Sequence, residues 1–370
     1  MATLVVLKPF RICPRWPLKN PKDSLSTVSI YKILKIKTTA IDLLKFFKNL
    51  YNKCISKIQI MINKQQLSKI GIGTWGVGGF MEPDPKNDDE KQIDAIVYSL
   101  NKGINYVGTV YMYAKGKAVD LLSKAVKKSK IAREKIFITF SVYKSDAKTI
   151  QEVEERLDSF LKTFDMGYVD SLQFTMGLVD DIGLELVKKF VDRLIEQGKT
   201  RYTSLANSNL DYLKKYHLAF GKKLFAHEGC FNFEVRENEI LGITDYAQQN
   251  GILNVVYQPL RRNRTAARNW SLLVELAKKY GRTQNQILLN WVVSKGFFPL
   301  VKSSTKEHID ENLASFSFQI DDDDLKKLNE FKIPNYQSPK IDWFGTGEGV
   351  AIHQIPNIFD KEYEKQNKKL

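Results

Sequence analysis

The feature that most constrains the fold is a regular alternation of short β-rich runs with amphipathic segments, which begins near residue 66. The β-rich runs are KIGIGTW (69–75), NYVGTV (105–110), IFITFSV (136–142), SLQFTM (171–176), YTSLAN (202–207), LFAHEGCF (224–231), NVVYQPL (254–260) and FPLVKS (298–303). Helical periodicity lies between them, for example over 90–102, 117–128, 149–163, 183–197 and 270–281. Eight β-α units over about 260 residues are the count and size of an α/β protein of the (β/α)₈ TIM-barrel class.

A doubly wound parallel sheet is the alternative architecture. It is less favoured, because no GxGxxG motif follows the first strand and because eight units are many for that fold. No linker divides the repeating part of the chain. We therefore expect a single barrel domain over residues 61–331, followed by a C-terminal tail at 332–370.

The net charge of +15 is concentrated before the barrel. Residues 1–60 contain twelve Lys and Arg but only two Asp and Glu, whereas the rest of the chain contains 45 basic and 40 acidic residues. Binding of a polyanion by the fold would need a basic face, so we predict no nucleic-acid partner. The extension has the composition of a transit peptide or a surface helix. A disordered leader, or sequence upstream of a later start at Met61, is the expectation that we prefer.

Two further properties limit the environment of the protein. No run approaches the ~18 apolar residues that a membrane-spanning helix needs. The three cysteines, Cys13, Cys54 and Cys230, have no paired spacing. Such usage is typical of a reducing compartment and argues against a metal site. We expect a cytoplasmic protein without a bound metal.

Alternation along the strands predicts which side chains face the barrel axis. In the fourth run, Ser171, Gln173 and Thr175 share one face, and the apolar residues between them share the other. The polar set should face the axis and the apolar set the helices. Chemistry in such barrels takes place at the C-terminal ends of the strands, so the loops that follow the strands contain the candidate residues.

At these positions the chain resembles the aldo-keto reductase family, from about Leu67 to Phe331. The matching segments are IGIGTWG at 70–76, MYAKGKAVDLL at 112–122, QGKTRYTSLANSN at 197–209, LLVELAKKYGRTQNQILLNWVVSKG at 272–296 and VKSSTKEHIDENL at 301–313. The resemblance implies the barrel, NADP(H) as cofactor, reduction of a small aldehyde or ketone by hydride transfer, and a tail that closes over the pocket.

A phosphate site is predicted after the eighth strand. Lys302, Ser303 and Ser304 offer an ammonium and two hydroxyls just before the positive end of a helix. A solvated turn with a helix cap is the alternative. The resemblance assigns these three residues to the 2′-phosphate of NADP(H).

The helix that follows would contact the adenosine end of the cofactor. The resemblance assigns Glu311 and Asn312 to the adenine. His308 stands where the family commonly has an arginine, and an imidazole does not form the bidentate fork to a phosphate. Selectivity for NADP(H) over NAD(H) is therefore expected to be softened.

Two other groups of residues complete the expected cofactor site. Arg261, Arg262, Arg264 and Arg268 follow the seventh strand, where the family folds a loop over the pyrophosphate; a solvated basic face is the alternative. At the nicotinamide end the resemblance implies Asn207, Glu228 and Tyr257. Glu228 stands where a glutamine is usual, and a carboxylate there favours the cationic, oxidised ring; a neutralised polar group of the barrel interior is the alternative.

The catalytic positions depart from the family. The resemblance assigns the proton donor to Tyr113, but the positions of the family Asp, Lys and His are Gly108, Ser141 and Thr175. Lys144, in the loop after the third strand, is a candidate substitute for the missing lysine.

A lone phenol has a pKa of ~10, so Tyr113 can still donate a proton at neutral pH. We therefore expect a slow reductase. The alternative is a catalytically inactive NADP(H)-binding sensor or partner protein.

Overall fold

The computed structural model describes residues 63–334, 336–344 and 346–367, so the predicted extension at 1–60 lies outside the described residues. Its eight strands are all parallel, follow one another in chain order and close into a barrel where the last pairs with the first. The strands are β1 (Gly71–Gly73), β2 (Tyr106–Val110), β3 (Phe137–Val142), β4 (Val169–Thr175), β5 (Thr200–Ala206), β6 (Leu224–Cys230), β7 (Leu253–Tyr257) and β8 (Phe298–Val301). The predicted (β/α)₈ barrel is confirmed, and the doubly wound alternative is wrong.

Helices connect the strands and cover the outside of the barrel. In the first half of the chain they are α1 (Asp89–Asn101), α2 (Lys117–Ser129), α3 (Ile150–Phe164), α4 (Met176–Ile182), α5 (Leu184–Glu196) and α6 (Leu210–Phe220). In the second half they are α7 (Glu237–Ile240), α8 (Ile243–Gln249), α9 (Arg264–Ala267), α10 (Ser271–Tyr280), α11 (Gln284–Ser294), α12 (Lys306–Ala314), α13 (Asp322–Glu330) and α14 (Ile355–Asn367). Among the described residues, none of these helices is long and apolar enough to cross a bilayer.

Local capping explains several helix starts. Thr149 and Thr283 each form a capping box with a residue three positions later, so their side chains satisfy amide groups that the helix itself leaves free. Asp88 accepts a bond from the Lys91 amide in the same way. The caps at Asp88 and Thr149 place the starts of α1 and α3 within about one residue of the predicted ones.

The lower part of the barrel interior is filled with aromatic rings. Phe137 stacks on Tyr106 at 5.3 Å and on Phe225 at 4.3 Å between ring centroids, and Phe298 packs against Tyr106. Above this layer, the hydroxyls of Ser171 and Ser204 bond to each other at 2.7 Å. The interior is therefore a packed core, and open space is confined to the C-terminal ends of the strands.

The predicted alternation in β4 is borne out. Gln173 points to the axis and bonds to side chains of β3 and β6, whereas Leu172 and Phe174 lie in the apolar layer under the helices. The same rule separates two neighbours in β6. Glu228 faces the axis, and His227 lies on the other face, where it is buried.

Candidate functional site

A cleft of about 1380 Å³ opens at the C-terminal ends of the strands. Its wall is formed by the loops after most strands and by part of the tail. Of the candidate residues named from the sequence, Arg264 and Arg268 do not line this cleft, and the others do: Gly108, Tyr113, Ser141, Lys144, Thr175, Asn207, Glu228, Tyr257, Arg261, Arg262, Lys302, Ser303, Ser304, His308, Glu311 and Asn312. The fold thus brings together residues that are up to about 200 positions apart in the chain.

The loop after β8 has the properties of an anion site. The Lys302 ammonium donates to Ser304 Oγ at 2.5 Å, and Ser303 Oγ accepts a bond of 2.9 Å from Asn312. Thr305 then caps α12, whose amides point toward this loop. Partial burial lowers the pKa of Lys302, and no carboxylate of the described residues pairs with it. A cation without an acidic partner beside two hydroxyls and a helix N-terminus fits a phosphate group.

Most of the arginine cluster after β7 is engaged within the protein. The buried Arg261 guanidinium pairs with Glu234 and with Asp360 of α14, and Arg264 and Arg268 also bind Asp360. These three groups are held by internal carboxylates, which differs from the expected pyrophosphate clamp.

Arg262 is the exception within the cluster. It is exposed, it forms no ion pair with the described residues, and its guanidinium lies 4.6 Å from the centre of the Phe80 ring, on the loop after β1. The loop after β7 thereby reaches across the cleft, and the guanidinium of Arg262 is free of any carboxylate of the described residues and can bind an anionic ligand.

Asn207 is held at the end of β5 by two contacts. Its backbone amide donates to the carbonyl of Glu228 at 2.9 Å, and its Oδ1 accepts a bond of 2.8 Å from the Tyr257 hydroxyl. Its φ of 52° lies in the left-handed region, which asparagine tolerates better than most residues. The amide group is therefore fixed against the floor of the cleft.

Glu228 is a buried carboxyl group on that floor. Its side chain accepts a bond of 3.1 Å from Gln173 Nε2, which also donates to Ser141 Oγ at 2.8 Å. Burial raises the pKa of Glu228 to about 7, and the bond from Gln173 only partly opposes this rise. The group is consequently poised between its neutral and charged forms near neutral pH.

Tyr113 stands at the start of a 3₁₀ turn that follows β2. The next two residues, Ala114 and Lys115, have positive φ angles, so the turn bends sharply toward the start of α2. The ring packs edge-on against Trp75, with 4.8 Å between centroids. Burial raises the pKa of the Tyr113 phenol, and the negative charges of Glu228 and Asp146 raise it further. Tyr113 therefore keeps its proton at neutral pH.

A larger residue at Gly108 would press on a neighbouring side chain. A Cβ at this position would lie 3.1 Å from Leu300 Cδ1, so the leucine of β8 would have to shift to admit it. Ser141 bonds to Gln173, and Thr175 precedes α4 without capping it through its side chain. Gly108 therefore offers no polar side chain, and Ser141 and Thr175 offer hydroxyl groups.

Lys144 lines the cleft, but its ammonium is paired with Asp181 at 2.7 Å. Both side chains are substantially exposed. The structure gives this lysine a carboxylate partner at the mouth of the cleft rather than a bond to Tyr113.

The tail supplies wall residues that sequence reasoning named only in part. Trp343 and Phe344 line the cleft, as do Ile352, His353 and Asn357, which the sequence did not single out. Asp342 closes the turn that carries them by accepting bonds from the amides of 344, 346 and 347. Sequence reasoning also missed Tyr143, although its position two residues after Ser141 indicates a shared face.

Comparison with known proteins gives a consistent assignment. Residues 69–333 match the model of the Aldo/keto reductase family. The chain is 26% identical to the NADPH-dependent alpha-keto amide reductase of Saccharomyces cerevisiae, over 64% of this chain and 78% of that protein. It is 24% identical to the methylglyoxal reductase DkgA of Salmonella typhimurium, over 75% and 94%.

Solved structures agree with the fold. The thermostable aldo-keto reductase Tm1743 superimposes with a TM-score of 0.65 and 28% identity, covering 71% of this chain and 94% of that one. A silkworm (Bombyx mori) aldo-keto reductase complexed with NADPH gives a TM-score of 0.60 at 20% identity, over 71% and 84%, and that likeness concerns the fold alone.

Proposed function

The chain belongs to the aldo/keto reductase family, and on that premise we propose that it binds NADP(H) and slowly reduces a small aldehyde or ketone, with Tyr113 as the proton donor. The observation that carries the proposal is that one cleft contains both the unpaired Lys302 site and the protonated Tyr113 phenol.

The residues of the cleft fit the cofactor. Lys302, Ser303 and Ser304 would hold a phosphate of the adenosine half, and Arg262 would meet the pyrophosphate. Asn207 and Glu228 would bond to the carboxamide of the other half. When bound, the cofactor supplies the hydride. The absence of an acidic partner for Lys302 among the described residues is the feature that favours an anionic ligand over a simple solvated turn.

The part of Tyr113 in the reaction follows from its environment. Its hydroxyl retains a proton that it can give to an oxygen on which negative charge develops. The raised pKa of this phenol has a second effect, because a phenolate that forms only with difficulty is a poor base. We therefore propose that reduction is favoured over alcohol oxidation.

The slow rate follows from the missing cation. Lys144 is engaged by Asp181, so the proposal gives it no part in the ionisation of Tyr113. Removing one donor that stabilises developing negative charge typically costs about 10²–10³-fold in rate. The hydroxyls of Ser141 and Thr175 replace that stabilisation only in part.

An inactive NADP(H)-binding sensor is the second candidate function. The specific observation in its favour is the packing at Gly108, where Leu300 Cδ1 would lie 3.1 Å from an added Cβ and so opposes a carboxylate side chain. The cofactor residues of such a sensor would serve recognition alone.

The test is to titrate NADPH into the full chain by fluorescence and then to measure NADPH consumption with a panel of aldehydes and quinones. We expect binding, slow turnover, and a loss of turnover of about 10²–10⁴-fold in Tyr113→Phe with binding retained. Tyr246→Phe is the matched control, because this phenol bonds to His217 away from the cleft and should leave both properties unchanged.

Each outcome separates the candidates. Binding without turnover on any carbonyl would favour the sensor. Turnover that survives in Tyr113→Phe would exclude the phenol as the donor. Failure to bind NADPH at all would remove both candidate functions.

A further inference from the structure

Glu228 is a buried carboxyl group that faces a ligand cleft without a cationic partner. Its side chain is 8% exposed, and its one side-chain hydrogen bond within the described residues comes from the neutral amide of Gln173. Buried carboxylates in proteins are ordinarily paired with a cation or accept several hydrogen bonds. Here the charged form is left with a single donor, so its stabilisation depends on what occupies the cleft.

The groups that face Glu228 from the surrounding elements are uncharged or acidic. Tyr113, Tyr143 and Tyr257 line the same cleft, and Tyr106 lies in the aromatic layer of the barrel interior. Burial raises the pKa of each of these phenols, and the negative charge of Glu228 raises it further. Behind Tyr143, Asp146 accepts a bond from its backbone amide at 3.1 Å. β5 contributes Asn207, and β8 contributes the apolar Leu300.

Glu228 forms no ion pair with a cation of the described residues. Lys144 and Arg261, which line the same cleft, pair with acids, and the shift in the pKa of Glu228 arises from burial, partly opposed by the bond from Gln173. The floor of the cleft is consequently a region of low dielectric in which the electrostatic potential is negative. A positive charge on a ligand at this point would be its natural counterion.

We infer that Glu228 is a proton-linked selector of the cofactor's redox state: its carboxylate favours NADP⁺, whose nicotinamide ring is cationic, and its neutral form favours NADPH. The inference rests on the proposed NADP(H) function and deepens it. By linkage, NADP⁺ should release a proton from Glu228 on binding, and NADPH should not. The raised pKa of the free group places this exchange close to neutral pH, where it has the greatest effect.

The test compares the dissociation constants of NADP⁺ and NADPH for the full chain between about pH 5.5 and about pH 8.5. A group whose titration changes both dissociation constants by the same factor leaves their ratio unchanged. We expect the preference for NADP⁺ over NADPH to grow by at least tenfold across this range. We also expect calorimetry in two buffers of different ionisation enthalpy to show proton release with NADP⁺ only.

Two variants decide whether Glu228 is responsible. Glu228→Gln keeps an acceptor for Gln173, and it should bind both dinucleotides with a ratio that no longer changes with pH. Asp146→Asn is the matched control, because burial also raises the pKa of Asp146, to about 6, but this carboxyl does not line the cleft. Its ratio should follow the wild type.

The contrary outcomes are distinct. A ratio that is flat in the wild type, or that still changes in Glu228→Gln, would overturn the inference while the proposed function stands. A ratio that becomes flat in Asp146→Asn would assign the effect to the wrong carboxyl and overturn it too. Absence of binding by either dinucleotide would overturn the inference together with the proposed function.

Discussion

Packing around Gly108 limits what this barrel can hold at that position. A Cβ there would lie 3.1 Å from Leu300 Cδ1, whereas its distance of 3.8 Å from the ring of Tyr106 is an ordinary contact. The contact with Leu300 requires the leucine to shift, and overpacking of this kind costs about 1–3 kcal/mol. A carboxylate adds the cost of a buried charge, because the neighbouring strand presents Ser141 and no cation at the adjacent position.

We predict that Gly108→Ala lowers the free energy of unfolding by about 1–3 kcal/mol and that Gly108→Asp lowers it by more. Urea unfolding followed by tryptophan fluorescence measures both. The double variant Gly108→Ala/Leu300→Ala should lose less than the two single variants added together, because the new methyl group partly fills the space that the leucine leaves. Additive losses would show that the two residues do not compete for space.

The sequence predicts how positions 108, 141 and 175 differ from the family pattern, but it does not predict what packs around them. The residue types at 108, 141 and 175 can be aligned with a family pattern one by one. That Leu300 covers Gly108, or that Gln173 links Ser141 to Glu228, depends on which strands are neighbours and in what register. Such contacts are properties of the closed barrel, and a single strand does not contain them.

At the scale of elements, ion pairs hold the C-terminal segment against the barrel. Asp360 of α14 binds the guanidinium groups of Arg261, Arg264 and Arg268, and the arginines hold its pKa below the usual range. Glu234, in the loop after β6, binds two of these arginines, Arg261 and Arg268. The loop after β7 and the tail therefore share one ionic network.

We predict that Asp360→Asn detaches the tail locally while the barrel stays folded. Hydrogen exchange of the amides in 340–360 should become at least tenfold faster, since removal of one partner leaves buried cations uncompensated. Glu364→Gln, an exposed acid on the same helix, is the matched control and should exchange as the wild type does. If both variants behave alike, the network does not hold the tail.

The elements of the barrel were predictable because their periodicity repeats, whereas the arrangement of the tail was not. The observed strand ends differ from the predicted ones by at most three residues. Most of the differences occur where polar residues at the end of a predicted run, such as Lys302, lie outside the hydrogen-bonded strand. Beyond residue 331 the described part of the chain contains the long helix α14 and a turn closed by Asp342. No short-range pattern links Asp360 to arginines some 95 positions earlier.

At the scale of the whole molecule, His227 and Glu228 have opposite effects on how the stability changes with pH. Both are buried, and burial lowers the pKa of His227 to about 4 and raises that of Glu228 to about 7. The folded state therefore prefers the neutral form of both groups. The unfolded chain has ordinary values of ~6.5 and ~4.3 for the same groups.

The signs follow from proton binding in the two states. Between pH ~4 and ~6.5 the unfolded state binds more protons at His227, so its contribution to stability is lost as the pH falls. Between pH ~4.3 and ~7 the folded state binds more protons at Glu228, so stability is lost as the pH rises. Each effect amounts to roughly 3 kcal/mol over its full range.

We predict that Glu228→Gln is more stable than the wild type by roughly 3 kcal/mol above about pH 8 and equally stable near pH 4. Urea unfolding across this pH range measures the difference. His227→Leu should have the opposite profile and gain only on the acid side. A constant difference between Glu228→Gln and the wild type at every pH would mean that the carboxyl titrates alike in both states.

The leucine beside Gly108 also determines how an aspartate could be introduced at that position. An aspartate introduced first meets an occupied site and has no lysine to pair with. A smaller residue introduced first at position 300 leaves a cavity with nothing to fill it. Each single step is costly, and only a concerted set of changes avoids the cost. Libraries of single substitutions should therefore fail to produce a fast reductase, because each substitution made alone conflicts sterically or electrostatically with the neighbouring side chains.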